Sequence, residues 1–156
     1  MTSAVVSTKA FDALLVVHAI CAIAALAVLI ALRAAAVVVT RAGPRSELVA
    51  RTFTGRPELA GRIVHLVPLT GLSVTAASLG TYSVTSGFAE IGIAMWFVAA
   101  MCLELVAFPA QREVAASLDA APDAARAAAA RMARAVELAA LALVVAAIVM
   151  IVTTSL

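Results

Sequence analysis

Three side chains that can gain or lose a proton stand inside long apolar stretches: His18, His65 and Glu104. An ionisable group in hydrocarbon costs about 2.5–3.5 kcal/mol on insertion scales, so each needs a partner or a task. Two histidines on neighbouring apolar segments invite a bis-histidine haem, because imidazole is a common axial ligand of haem iron. Glu104 with His65 invites a charged, hydrogen-bonded clasp or a proton-handling pair. Arg62 lies three residues before His65, on the same helix face, and could reach Glu104 as well. His18 has Cys21 one turn further on, and Met95 and Met150 occupy apolar segments that can approach the same depth. Imidazole and soft sulfur together suit copper or a haem iron, whereas a lone intramembrane His more often bonds a neighbouring hydroxyl.

The elements that must position these groups follow from composition. Hydrophobic residues make up 65% of the 156 and charged residues 13%, and the mean hydropathy is +1.12. Soluble domains do not reach such values. Crossing about 30 Å of hydrocarbon takes about 20 apolar residues of helix, and four stretches qualify: 13–32, 63–82, 91–110 and 135–152. The expected fold is an all-α, four-helix transmembrane bundle, a single domain over 1–156. The first span is expected to be retained, since no small-residue cleavage site followed by a soluble domain comes after it. The second is the most polar, with Pro68, Thr70, Gly71, Ser73, Thr75 and Ser78, residue types that belong at helix contacts. Pro109 and Gln111 are expected to close the third. Between the first two spans, residues 45–54 alternate charge with Leu48, Val49 and Phe53, a pattern for a short interfacial helix. Before the fourth span, an Ala and Arg run from Pro122 should be strongly helical and enter the span unbroken.

Orientation follows from Lys and Arg, since short basic loops stay in the cytoplasm. Ten of the 11 basic residues border or occupy the connections 33–62 and 111–134. Both long loops are therefore expected inside and both termini outside, in a cell inner (plasma) membrane. That topology bears on the histidines. His18 lies ~8 Å below the outer end of its span and His65 close to the inner end of the next, which leaves ~17 Å between them along the membrane normal. On these limits they cannot share one iron, while His65 and Glu104 fall within about one helical turn in depth.

Several function classes are excluded. The net charge is only +2 and the basic residues flank spans, so no nucleic acid partner is implied. Cys21 and Cys102 lie within spans without Cys-x-x-Cys spacing, which gives neither a disulfide framework nor a zinc site. There is no glycine-rich phosphate loop, no Gly-x-Ser-x-Gly and no His-Glu-x-x-His. Four spans do not make convincing inverted transporter repeats.

Leu14-Leu15-Val16-Val17-His18, Arg62-Ile63-Val64-His65-Leu66-Val67-Pro68-Leu69-Thr70-Gly71, and a third span from near Trp96 to Phe108-Pro109-Ala110-Gln111-Arg112 resemble small four-helix integral membrane proteins of unknown function. The resemblance covers residues 12–115. More distantly the chain is similar to the copper-resistance D proteins and to membrane protoporphyrinogen oxidase, which implies a haem or metal role for His18. The oxidase also uses a lysine in a later helix, and no such lysine is present. The Ala, Val and Arg usage looks like that of a high-GC actinobacterium, where size and span number resemble an accessory subunit of the cytochrome bcc and aa3 oxidase supercomplex. The expectation is a noncatalytic accessory subunit of a larger membrane complex, with the lipid bilayer and other integral membrane subunits as partners and no cofactor of its own. The alternative is a redox protein holding haem b or copper at His18.

Overall fold

A computed structural model describes residues 2–42, 53, 58–78, 81 and 83–154, all that carry regular structure being helical. Helix α1 spans Thr2–Ala42. A single turn, α2 (Glu58–Gly61), and a 3-10 turn (Arg62–His65) lead into α3 (Leu66–Ala77). Helix α4 (Gly87–Met101) passes through a π-helical turn (Cys102–Ala107) into α5 (Phe108–Ser117), and α6 runs Pro122–Thr154. Three continuous stretches are long and apolar enough to cross a membrane: Lys9–Arg41, Gly87–Ser117 and Pro122–Thr153. The expected interfacial helix at 45–54 falls outside the described residues except for Phe53, which is buried.

Two prolines shape the shorter and the bent elements. Pro68 has no N–H to give the carbonyl of Val64, and the backbone just before it tightens into the Arg62–His65 3-10 turn. The apolar helix of this region, Arg62–Ala77, is correspondingly short; four residues at ~2.0 Å and twelve at ~1.5 Å give ~26 Å of rise. Pro109 was expected to end its span. Instead the helix continues through it to Ser117, because the π turn at Cys102–Ala107 widens the backbone where the proline ring would otherwise meet the Leu105 carbonyl. As expected, the Ala-rich run from Pro122 enters the last apolar helix without a break, with Asp123 in the first turn.

The packed core lies toward one end of the bundle. It joins Leu29, Leu32 and Val39 of α1, Val64, Leu103, Phe108 and Val114, and Met132 and Val136 of α6, all buried. Alanines are prominent among the buried residues, Ala35 and Ala36 in α1 and Ala125, Ala128 and Ala129 in α6, small side chains that let backbones approach closely. Toward the other end α3 and α4 touch little, and a cavity opens between α1, α3, α4 and α6. Large apolar side chains cover the outside, among them Ile23, Ile30, Leu69, Phe97, Leu105 and Ile151, each more than half exposed.

Candidate functional site

Arg62, His65 and Glu104 sit together. His65 Nε2–H donates to Glu104 Oε1 at 3.0 Å, and Arg62 Nε lies 3.8 Å from the same oxygen. The 3-10 turn carries both basic residues on one side, and the π turn aims Glu104 at them. Behind the pair, Trp96 meets the His65 ring edge to face, centroids 6.0 Å apart. Arg62 also faces Glu58 at 3.8 Å, and Glu58 receives Arg112 Nη1 at 2.8 Å. Two carboxylates and three basic groups thus form a chain across the turn before α3, the π turn and α5. Such a chain holds helices in register; it contains no nucleophile beside a base.

His18 stands apart from that cluster. Its Nδ1 lies 2.9 Å from Thr70 Oγ1, and its ring lies flat to Gly71, where an added Cβ would come within 3.2 Å of Cε1. Thr70 follows His65 by five residues, a helix rise of ~7.5 Å. The separation of the histidines along the bundle is therefore about half the ~17 Å expected. The reason is that α1 extends far beyond 13–32 at both ends, so depth counted from residue 13 misplaced His18. The gap still exceeds what two ligands of one iron allow, and His65 is committed to Glu104.

His18 and Met150 both line the cavity, whose volume is about 300 Å³. Cys21 and Met95 are not among the lining residues; Cys21 is a half-buried free thiol and Met95 packs against the core. No group of three or more His, Cys, Asp and Glu able to hold a metal exists among the described residues. Among the described residues the lining carries no Lys or Arg to meet haem propionates. The donor set therefore fits neither copper nor haem well: one imidazole, one thioether and an apolar wall.

The hydroxyls of α3 behave differently from the expected contact surface. Thr70 alone reaches another helix in a described bond; Ser73, Thr75 and Ser78 return their hydrogens to carbonyls of their own helix. Sequence reasoning missed the long-range ion pairs. Arg33 donates through Nε and Nη2 to Glu137 Oε2 at 3.2 and 3.1 Å, tying α1 to α6, and Arg131 pairs with Glu113. The one available signal for the first is that Arg33 and Glu137 stand at corresponding ends of antiparallel spans. Nothing in the sequence marks Trp96 Nε1 or the Gln111 amide, buried polar groups without a hydrogen-bond partner among the described residues.

Comparison with known proteins bears on these residues only by its outcome. No family model, no curated protein and no solved structure matches the chain. The functional reading therefore rests on the residues themselves.

Proposed function

We propose that the chain crosses a plasma membrane four times, with both termini outside and both long basic connections in the cytoplasm, and serves as a noncatalytic accessory subunit of a larger membrane complex. The complex proposed is a respiratory cytochrome oxidase, on the strength of the resemblance in size and composition. One observation carries the noncatalytic reading: the charged groups nearest the apolar zone are spent on partners in other elements of the same chain. Glu104 is taken by His65 and Arg62, and Glu137 by Arg33. A subunit built this way keeps its shape in lipid and offers neighbours only apolar helix faces and small residues, the surfaces on which membrane helices associate. Span two would be Arg62–Ala77 and the few residues after it. Its ~4 Å shortfall against a 30 Å core is of the size absorbed by local thinning and by Arg62 reaching for the interface.

Purification in mild detergent tests the assembly: haem-rich subunits are expected to copurify, and a chain that purifies alone from its own membranes would refute the proposal. Topology is tested by Thr85→Cys and Ser46→Cys. In intact cells the first is expected to react with an impermeant thiol reagent and the second to be protected; the reverse pattern overturns the orientation. The competing reading is a redox protein holding haem b or copper at His18. A pigmented or copper-loaded isolated chain would favour it, against the poor fit of the cavity wall.

A further inference from the structure

Two polar groups on the wall of the cavity between α1, α3, α4 and α6 have an unspent valence: Trp96 Nε1–H, buried without a partner among the described residues, and the His18 imidazole. Thr70 has a single hydroxyl hydrogen, and its oxygen lies 2.9 Å from the Leu66 carbonyl and 3.0 Å from that of Val67, the usual acceptors of a helical threonine. With that hydrogen on either carbonyl, the contact with His18 is one in which Nδ1–H donates and the hydroxyl accepts. In that tautomer Nε2 carries a lone pair. Among the described residues no charged side chain lines the cavity; Phe88 and Trp96 supply aromatic surface, and Leu15, Leu72 and Leu143 aliphatic surface.

An unmet acceptor in apolar surroundings favours a ligand that brings a hydrogen and no charge. A carboxylate or phosphate would find no cation here. An acyl chain would leave Nε2 unmet. A volume of about 300 Å³ suits a substituted single ring, at the small end of ligand sites. We propose that this cavity binds a neutral, lipid-soluble aromatic alcohol, of the phenol or hydroquinone class, whose O–H donates to His18 Nε2 while its ring packs against Trp96 and Phe88. The site stands on this chain alone and is independent of membership in a larger complex.

Trp96 is the chain's only tryptophan, so its fluorescence reports on the cavity without labelling. The protein in phosphatidylcholine nanodiscs is titrated with 4-hexylphenol and, separately, with 4-hexylanisole, which has nearly the same shape but no hydroxyl hydrogen. The phenol is expected to change the emission saturably, and the ether to bind roughly tenfold more weakly, the value of one hydrogen bond. His18→Phe should bring the phenol down to the ether's affinity. Ala22→Phe, which fills the cavity from α1 one turn beyond the imidazole, should remove saturation for both. Equal affinities in the unaltered protein, no saturation with either compound, or a phenol preference that survives His18→Phe would each overturn the proposal. So would a Soret band in stoichiometric amount, since Nε2 would then belong to iron.

Discussion

Gly61 sits where three elements meet, and an added methyl there has a defined obstacle. Its Cβ would lie 2.6 Å from Phe108 Cε1, 2.8 Å from Cζ and 3.5 Å from Leu32 Cδ1. Carbon atoms in favourable contact stand about 3.5 Å or more apart, so the ring must retreat about 0.9 Å, the difference between 3.5 and 2.6 Å. Phe108 is 1% exposed and cannot swing into open space. Overpacking of this kind costs about 1–3 kcal/mol. Against it stands the gain of alanine over glycine in a helix, about 0.5–1 kcal/mol. Gly61→Ala is therefore expected to destabilise the unaltered protein by up to about 2.5 kcal/mol, the difference of those ranges. With Phe108→Leu in place the obstacle is gone, and the same change should stabilise by about 0.5–1 kcal/mol. The sign reverses with the neighbour. Unfolding in dodecyl maltoside micelles with increasing dodecyl sulfate, followed by Trp96 fluorescence, measures all four members of the cycle. A coupling below about 0.5 kcal/mol, the level at which distant sites add, would refute the contact.

Gly92 provides the opposite case: nothing lies within 4 Å of its added Cβ, so Gly92→Ala should stabilise by about 0.5–1 kcal/mol in the same assay. Glu104→Leu leaves the His65 N–H and the Arg62 charge without their shared acceptor and, with both Arg62 and Glu104 about half exposed, should cost about 0.5–1.5 kcal/mol, while Glu104→Gln, which keeps an acceptor oxygen, should cost less. Equal stability of Glu104→Leu and the unaltered chain would remove the clasp from the account. Arg33→Ala should change stability by less than about 1 kcal/mol, because both partners of the Arg33–Glu137 pair are about half exposed; a larger loss would mean that the pair lies in lipid.

Much of the helical content was legible because it depends on local rules. Long runs of Ala, Val, Leu and Ile form helices wherever backbone groups must be satisfied internally, and the Ala-rich approach to α6 follows from propensity alone. Pro109 was misread for the same reason. Read locally, proline in a helix is a stop, but a π turn one step earlier absorbs it, and that choice depends on what the neighbouring helices hold in place. Among candidate site residues, Arg62, His65 and Glu104 could be grouped in advance because span ends set their depth. Cys21 and Met95 could not be separated from His18 and Met150, because depth alone does not say which way a side chain faces.

By itself, then, the sequence determined that the chain is helical and apolar enough to lie in a membrane, and that His18, His65 and Glu104 require partners; it offered four spans, where the structure describes three helices long and apolar enough to cross and a shorter apolar helix over Arg62–Ala77. Those conclusions rest on solvation, which acts residue by residue. Only the tertiary structure decided which partners they take: Thr70 for His18, Glu104 for His65, Glu137 for Arg33. Pairing depends on helix length, rotation and packing. The buried alanines and the π turn fix these, and no local spacing encodes a contact between residues 52 or 104 positions apart.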